Sequence, residues 1–475
     1  MTTKTTLKQH SPRNPKFNWS RRRFLGASAA AWATVSIVPR HVLGGAGHQA
    51  PSNTLAIAAV GIGGMGKNYL QGCEHERIVA LCDCDAKFAE PVFARYANAR
   101  RYRDFREMFE KEADKFDALI IGTPDHTHAV IALTALTLGK HLYCAKPVTH
   151  SVHEARRVRE AVLKANVITQ TSVQSAASPE ARRTEEILRS GVLGPIREVH
   201  VWSPHPIYPC SLERPKETPP VPNGLDWELW LGPAPYRPYH PAYIPFKWRA
   251  WWNFGSGTIA DMACHSFHVF FKALKLNRRP PKTVTGWSSY HREPSGRMLL
   301  TRECQSDANQ VSWQFPAIDN LPSLRLHWYD GGLRPLRPLE LATEMPMIEA
   351  GILFIGEEGK MNSRFYGGAD LLLPATKFKD YQRPAPTLPR TTGHYREWTE
   401  GCKTNTATNC PLEFGCQMTE LALLGTIALR SFVPEEPATG WLAEVLEWDA
   451  EAMRVINDQE ANKWVNPPYR EGWSL

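Results

Sequence analysis

The sequence predicts an α/β protein with two domains: a doubly wound parallel sheet, followed by an α+β domain with an open, mostly antiparallel sheet. Three observations predict this. An apolar segment leads into a glycine-rich turn at residues 58–66. Short apolar runs then alternate with helical stretches to about residue 173, which is typical of a parallel sheet. After a charged helix predicted over 178–190, longer apolar runs follow one another with few helices between them, which favours antiparallel pairing.

The individual elements follow from short apolar runs and from helical periodicity. In the first domain, strands are predicted at 55–60, 77–82, 118–122, 141–144 and 167–171, with a helix from about residue 65. In the second, they are predicted at 196–202, 283–290, 310–315, 324–329 and 352–355, with a strong helix at 410–430. The segment 203–245 is dense in Pro, Tyr and Trp, so we expect a functional loop over a cleft.

The glycine-rich turn indicates what the first domain binds. Gly61, Gly63 and Gly66 form G-x-G-x-x-G directly after a strand, and Asp83 follows about twenty residues later. In a Rossmann unit the glycines allow the tight turn, the approach of a pyrophosphate and close helix packing, while the acid holds the ribose. The predicted cofactor is NAD in preference to NADP, because Asp83 would repel a 2′-phosphate. The loop residues predicted to contact the cofactor are Gly61, Gly63, Gly64, Met65 and Gly66.

The charge of the chain is concentrated at its start. Residues 1–50 contain eight Lys or Arg and no Asp or Glu, although the whole chain carries a formal net charge of +8. The remainder has 48 basic residues against 48 acidic ones and is neutral. No electrostatic case for nucleic-acid binding remains.

The basic leader has the pattern of an export signal. Arg21, Arg22 and Arg23 precede Phe24 and Leu25, and an apolar, Ala-rich run follows at about 27–38. This pattern predicts a twin-arginine signal, cleaved near 46–50, and export to the periplasm by the twin-arginine machinery. A basic disordered arm and an uncleaved anchor remain alternatives. Because this route moves folded proteins, the cofactor would be loaded before export.

Ten cysteines are scattered along the chain without C-x-x-C pairs. Neither a zinc ribbon nor a thioredoxin-type centre is therefore indicated. Most are expected to be buried small hydrophobic residues. The run Cys82-Asp83-Cys84-Asp85 is not expected to bind metal, because alternation at a strand end points its side chains to opposite faces.

Three further stretches combine with the glycine loop. They are G-T-P-D-H-T-H at 122–128, G-K-H-L-Y-C-A-K-P at 139–147 and G-S-G-T-I-A-D-M-A-C-H at 255–265. Together they resemble the Gfo/Idh/MocA family of nicotinamide-dependent sugar and cyclitol oxidoreductases, from about residue 53 to the C-terminus. The resemblance places Lys146, Asp261 and His265 at the family's catalytic positions, with His265 as the base.

The chemistry of alcohol oxidation suits these residue types. A site that removes a hydroxyl proton while a hydride leaves the same carbon needs a base and a group that stabilises developing oxyanion charge. Pro147 keeps Lys146 extended at the carboxyl edge of the sheet, where doubly wound sheets bind ligands. Asp261 and His265 stand at i and i+4 on one helix face, so the carboxylate is expected to orient the imidazole or to bind a sugar hydroxyl.

Other residues are assigned to the cofactor or the substrate. Pro124, His128 and Lys146 are predicted to lie against the cofactor, although a purely structural turn is favoured for the histidines at 126 and 128. Arg249, Trp252 and His268 are predicted to contact substrate, within an aromatic stretch at 243–252 that suits sugar rings. A metal site formed by Asp261, His265 and His268 is an alternative, but no metal is predicted. Ala145 departs from the glutamate common in relatives before Lys-Pro.

The sequence therefore predicts an exported NAD(P)-dependent oxidoreductase acting on a secondary hydroxyl of a sugar, cyclitol or glycoside. An alternative is a glycosidase or lyase that uses tightly bound NAD through a transient keto-sugar. A non-catalytic carbohydrate-binding module is a third hypothesis. The domains are placed at 1–50 for the leader, 51–173 for the NAD-binding domain and 174–475 for a substrate-binding domain that also forms a homo-oligomer.

Overall fold

The computed structural model describes residues 53–292, 298–299, 302–431 and 445–475. The predicted twin-arginine signal and its cleavage point fall in residues 1–50, outside the described residues. Leu55–Leu475 form one compact unit, which contains both predicted sheets. The domain boundaries themselves stay predictions.

The first domain is built on a parallel sheet, as predicted. Six described strands lie in the order β3-β2-β1-β4-β5-β6, and every pair is parallel. The central strands are buried along their whole length, which explains their continuous apolar sequences. The strands are β1 Ala56–Val60, β2 Arg77–Cys82, β3 Arg100–Tyr102, β4 Ala118–Ile121, β5 His141–Cys144 and β6 Thr169–Thr171.

Helices connect these strands and cover both faces of the sheet. The strand order reverses between β1 and β4, and ligands of open parallel sheets bind at the carboxyl ends of strands on either side of such a reversal. The helices are α1 Gly66–Gly72, α2 Ala86–Arg95, α3 Phe105–Glu112, α4 His128–Thr137 and α5 Val152–Ala165. A further helix, α6 Pro179–Arg189, follows β6 and leads into the second domain.

The second domain is a mixed sheet in which antiparallel pairs dominate, so the predicted open, mostly antiparallel sheet is confirmed. Nine strands of the described chain lie in the order β15-β14-β13-β7-β12-β11-β8-β16-β17, and β7 with β12 is the parallel pair. A separate hairpin joins β9 and β10. The strands are β7 Ile196–Trp202, β8 Thr283–Ser288, β9 His291–Arg292, β10 Met298–Leu299, β11 Asn309–Phe315, β12 Leu324–Tyr329, β13 Gly351–Gly356, β14 Lys360–Arg364, β15 Leu371–Leu373, β16 Leu446–Asp449 and β17 Arg454–Val455.

Helices cover one face of this second sheet. Val199, Val201, Trp313 and Trp328 point from the strands into a core shared with the apolar residues of α8 and α10. The remaining helices are α7 Trp227–Leu231, α8 Gly257–Phe271, α9 His394–Thr404, α10 Leu412–Ser431 and α11 Asn462–Val465. Among the described helices, α10 is long and apolar enough to cross a membrane, but 83% of its most apolar window is buried in the fold, as in a core helix.

Elements that the sequence did not predict are mostly short or polar. β3 is an edge strand with the sequence R-R-Y, and β14 reads K-M-N-S-R, so neither has an apolar run. The helix α7 lies inside the segment that was predicted as a loop. All ten cysteines are free and eight of them are buried, which confirms the expectation for most of them.

Candidate functional site

A cavity of about 790 Å³ runs along the carboxyl ends of β1, β4 and β5 and reaches α8 of the second domain. Its wall includes the glycine loop together with Lys146, Arg249, Asp261 and His265. The structure thus brings the predicted catalytic residues and the predicted cofactor loop into one cleft. The rule that parallel sheets bind ligands at this edge gives the physical reason.

Two glycines of the loop are required by backbone packing. Gly61 has φ +76°, and its N–H donates to Cys82 O at 2.9 Å. A Cβ on Gly61 would overlap the backbone of Thr123, and a Cβ on Gly66 would overlap the carbonyl oxygen of Gly61. These glycines therefore let β1, β4 and the start of α1 approach one another.

Gly64 has a different environment, which fits a cofactor. A Cβ built on Gly64 meets no atom within 4 Å, so this position borders open space. Gly64 and the half-exposed Met65 line the cleft. A Cβ on Gly63 would overlap the Phe88 ring, which also lines the cleft. The loop therefore provides a cradle, at Gly64, for a group such as a pyrophosphate.

Asp83 supports this loop directly. Its Oδ2 accepts the N–H groups of Ile62 at 2.9 Å and Gly63 at 3.0 Å, and its Oδ1 accepts the N–H of Asp85 at 3.0 Å. Burial raises the pKa of Asp83, and the three backbone donors oppose that rise. Asp83 also lines the cleft, at the position expected for a ribose-binding acid. Its contact with a ribose stays a prediction.

Lys146, Asp261 and Arg249 form a charged cluster across the two domains. The Lys146 Nζ donates to the backbone carbonyl of Asp261 at 2.5 Å and to its Oδ1, and the Arg249 Nε lies 3.6 Å from Oδ2. Burial acts to raise the pKa of Asp261, but the charges of Lys146 and Arg249 outweigh it and hold the pKa at about 2. The carboxylate is therefore ionised throughout the physiological range.

His265 lies one helical turn beyond Asp261 and lines the same cleft. Its ring meets Tyr366 edge-on, with centroids 5.8 Å apart. Burial lowers the pKa of His265 well below 6.5, and the charge of Lys146 acts in the same direction. The imidazole is thus neutral at pH 7 and able to accept a proton. The expectation that Asp261 orients this ring needs correction, because its carboxylate is directed to Lys146 and Arg249.

Asp125 is a cleft residue to which the sequence assigned no role. Its side chain is 4% exposed, and Oδ2 accepts the N–H of Ser256 at 3.1 Å. Burial, reinforced by the charge of Asp261, raises the pKa of Asp125 to about 7. Its position directly after β4, at the ligand-binding edge of the sheet, could have identified Asp125 from the sequence. A second carboxyl group, which titrates near neutrality, therefore borders the charged cluster.

Ser172 is another cleft residue that the sequence did not single out. Its Oγ accepts the N–H of Lys146 at 2.9 Å and the hydroxyl of Tyr69 at 3.2 Å. Ser172 directly follows β6, so it too lies at the edge of the sheet formed by the carboxyl ends of the strands. Its bond to the Lys146 backbone fixes the point from which the lysine side chain extends.

His128, which was predicted to contact the cofactor, does not line the cleft. It is buried, its Nδ1 lies 2.9 Å from Pro147 O, and its Nε2 lies 2.8 Å from Thr123 O. The ring therefore joins the two loops that carry Pro124 and Lys146, both of which line the cleft. This agrees with the structural role that was favoured for His128.

Two predicted substrate residues also lie away from the cleft. Trp252 is 5% exposed and packs under the guanidinium of Arg430, 5.6 Å from the ring centre. His268 is 6% exposed, and its Nε2 bonds the hydroxyl of Ser175 at 2.9 Å. Neither residue lines the cleft, so contact with substrate through either stays a prediction that this geometry does not support. His268 lies two helical turns beyond Asp261, about 10 Å along the axis, and faces the core.

Arg249 does lie in the cleft, held by aromatic rings. Its guanidinium carbon is 4.5 Å from the Phe246 ring centre and 4.3 Å from that of Trp248. Both rings line the cleft, as expected for part of the aromatic stretch, whereas Tyr243 and Trp251 are buried in a neighbouring core. The predicted loop over the cleft also supplies lining residues, which are His205, Ile207, Leu229, Trp230, Ile244 and Pro245.

Family comparisons agree with this architecture. Residues 55–173 match the model of the Gfo/Idh/MocA oxidoreductase family for an NAD-binding Rossmann fold. Residues 207–285 match the model for the C-terminal alpha/beta domain of an oxidoreductase family. The cofactor class predicted from the glycine loop is therefore supported by the first match.

Among curated relatives, the inositol 2-dehydrogenase of Rubrobacter xylanophilus is 30% identical over 148 residues, which is 30% of this chain and 42% of the relative. The levoglucosan dehydrogenase of Pseudarthrobacter phenanthrenivorans is 29% identical over 136 residues, 28% of this chain and 34% of the relative. These alignments span less than half the length of either relative.

Solved structures show the same fold across both domains. The WlbA dehydrogenase from Bordetella pertussis, in complex with NADH and UDP-GlcNAcA, matches with a TM-score of 0.52 at 17% identity, covering 78% of this chain and 95% of that structure. At this identity the match shows the fold alone. The two family models, which match the two domains in chain order, support the Gfo/Idh/MocA oxidoreductase family for this chain.

Proposed function

We propose that this protein is an NAD-dependent oxidoreductase that oxidises a secondary hydroxyl of a sugar, cyclitol or glycoside. The observation that carries the proposal is the position of Lys146, Asp261 and His265 in the same cleft as the glycine loop. The inositol and levoglucosan dehydrogenases among its relatives support a polyhydroxylated substrate.

A bound NAD would supply the hydride acceptor for the carbinol carbon. The chain's own residues provide the proton chemistry. His265 is neutral and can accept the hydroxyl proton, while the positive charges of Lys146 and Arg249 stabilise the oxygen from which that proton leaves. Asp261 holds both cations in place through its ionised carboxylate.

The wall next to this cluster suits a sugar. Phe246 and Trp248 offer apolar faces to the C–H side of a ring, and Arg249 between them can donate to hydroxyl groups. At the other end of the cleft, Asp83 carries negative charge where NADP has its 2′-phosphate. This charge supports NAD in preference to NADP.

Cellular location and assembly are further parts of the proposal. The arginine cluster at residues 21–23 and the apolar run after it support export to the periplasm by the twin-arginine machinery. The second sheet has helices on one face, and a second copy of the chain on its other face would make a homo-oligomer. Size measurement of the purified protein and localisation of a tagged chain test these points separately.

The cofactor is tested by purifying the protein, denaturing it and identifying any dinucleotide that is released. NAD in the supernatant, or NAD binding to protein that releases none, supports the proposal. A preference for NADP, or no binding of either, contradicts it.

Stoichiometry then separates oxidation from the alternative of redox-recycling cleavage. Polyols and aryl glycosides are incubated with the protein and NAD. An oxidoreductase forms NADH in step with the keto product. A recycling glycosidase or lyase releases the aglycone without net NADH, and this outcome would replace the proposed reaction.

A further inference from the structure

Two histidines and a glutamate lie together on the second sheet, outside the cleft. β7 and β12 are parallel neighbours, and His200 is paired in register with His327. Val199 and Val201 of β7 point into the core beneath α8 and α10. Because side chains alternate along a strand, Glu198 and His200 point to the opposite face of the sheet.

The three side chains present their donor atoms to one another. One ligand atom from each of Glu198, His200 and His327 lies within 4.8 Å of the other two. The imidazole rings are stacked with centroids 4.7 Å apart and an interplanar angle of 17°. Glu198 Oε2 lies 3.2 Å from His200 Nε2. All three side chains are partly exposed, so an ion has access to them.

The second nitrogen of each histidine is already engaged by a hydroxyl group. His327 Nδ1 lies 2.7 Å from Ser312 Oγ, and His200 Nδ1 lies 3.1 Å from Tyr329 Oη. Each ring therefore keeps its Nε2 for another partner. Histidines that bind metal are usually held in this way, with the remaining ring nitrogen hydrogen-bonded to a neighbour that fixes tautomer and orientation.

The carboxylate is held in a comparable way. Arg325 forms an ion pair with Glu198 through Oε1, which leaves Oε2 directed at His200. Both residues lie on rigid strands of the same sheet. One oxygen and two nitrogens on adjacent parallel strands thus converge on one point at the sheet surface.

We propose that Glu198, His200 and His327 form a binding site for a divalent transition-metal ion of the zinc type. Zn²⁺ takes histidine nitrogen and carboxylate oxygen ligands at about 2.0–2.2 Å in tetrahedral geometry, and water would fill the fourth position. Tetrahedral geometry at these bond lengths places ligand atoms about 3.4 Å apart. Glu198 Oε2 and His200 Nε2 already lie 3.2 Å apart, so mainly the His327 nitrogen has to approach, by about 1 Å. A hydrogen bond between Glu198 and His200 already holds two of the three side chains together.

Zinc titration of the full-length protein, without an affinity tag and after treatment with a chelator, tests the site. We expect wild-type protein to bind one more Zn²⁺ per chain than the His200→Gln and His327→Gln variants. His153→Gln changes another partly exposed histidine, on α5, and serves as the matched control that keeps wild-type stoichiometry. Zinc is counted per chain, so that monomers and homo-oligomers are compared on the same basis.

Thermal unfolding provides an independent measurement that also reports whether each variant folds. Zn²⁺ should raise the Tm of wild type and of His153→Gln, because an ion that binds the folded form stabilises it. His327→Gln should unfold cooperatively near the metal-free wild-type Tm and show no such rise. Ser312→Ala should retain zinc binding, with an affinity lower by about tenfold.

Co²⁺ gives a spectroscopic signature of the same ligands. Substitution of Co²⁺ should produce visible absorption bands of four-coordinate geometry in wild type, and His327→Gln should lack them. Equal zinc stoichiometry in wild type and both ligand variants would overturn the proposal, as would the absence of any Tm rise in wild type.

Discussion

Lys146 reaches from the end of β5 in the first domain to Asp261 in α8 of the second, where its Nζ donates to both the backbone carbonyl and the carboxylate. The lysine is therefore fixed by a residue of the other domain. Arg249 lies on the opposite side of the same carboxylate. The relative position of the two cations in the cleft thus depends on a single acidic side chain.

Substitutions at two glycines of the loop should have different effects: one should lower stability and the other should weaken cofactor binding. Gly66→Ala should lower the free energy of unfolding by about 3 kcal/mol, because the new methyl group overlaps the Gly61 carbonyl. Gly64→Ala should change stability by no more than about 0.5 kcal/mol, because its methyl group meets no protein atom within 4 Å. The same methyl group fills the cradle, so affinity for NAD should fall about tenfold, a loss of about 1.4 kcal/mol.

Denaturant unfolding and calorimetric NAD titration measure the two effects separately. Wild-type affinity for NAD in a stable Gly64→Ala protein would show that the cradle does not hold the cofactor. Wild-type stability of Gly66→Ala would show that the close approach to Gly61 is unimportant.

Asp125 predicts a pH-dependent gain in stability for Asp125→Asn in cofactor-free protein. Folding raises the pKa of Asp125 from its ordinary value of 3.8 to about 7. The stability that the neutral carboxyl contributes is fully present below pH 3.8 and is lost as the pH rises through about 7. Asparagine stays neutral and can still accept the Ser256 N–H. The free energy of unfolding of the variant should therefore be about 2 to 4 kcal/mol higher than that of wild type above pH 7, and the difference should be much smaller near pH 5.

Urea unfolding at about pH 5 and about pH 8 checks this expectation. Asp380→Asn, at an exposed position, is the control and should show no comparable pH-dependent difference. A constant difference between Asp125→Asn and wild type at both pH values would argue against a raised pKa.

The lowered pKa of His265 determines where kcat/KM should fall on the acid side of the pH profile. Burial and the charge of Lys146 lower the pKa of this imidazole well below 6.5. A base that must be neutral then stays active below pH 6.5, and kcat/KM should fall only as the pH drops through the lowered pKa. His265→Gln should reduce kcat/KM by about 10²- to 10⁴-fold and remove this acid limb.

The profile of kcat/KM against pH, measured with any substrate that the polyol panel identifies, provides the test. An acid limb at or above pH 6.5 that persists in His265→Gln would assign the titrating base to another residue.

Much of the fold and part of the site could be predicted from local patterns. The glycine loop, Asp83, the Lys-Pro dipeptide and D-x-x-x-H each follow from a short motif, and the parallel-sheet rule places the first three at one edge. Arg249 was found because it belongs to the aromatic stretch that leads into α8.

Contacts between distant segments account for the residues that the sequence missed or misplaced. Burial, reinforced by the charge of Asp261 136 positions later, raises the pKa of Asp125, and both effects exist only after folding. His268 shares a helix with His265, but the packing of α8 turns it to Ser175 and the core. Short edge strands such as β3 lack an apolar run, and β3 is held by its pairing with β2 and by contacts of Arg100 and Tyr102 with Glu112.

The central claim is that the cleft oxidises a polyol with NAD through Lys146 and its partners. Single-turnover nicotinamide reduction, with protein in excess over NAD and a panel of sugars, sugar acids, cyclitols and glycosides, tests it most directly, because it detects reduction even when the cofactor is later restored. Lys377→Ala removes an exposed ion pair with Glu358 and serves as the control. We predict reduction with at least one compound in wild type and in Lys377→Ala, and a rate about 10³-fold lower in Lys146→Ala. No reduction with any compound despite bound NAD, or an equal rate in Lys146→Ala, would contradict the account.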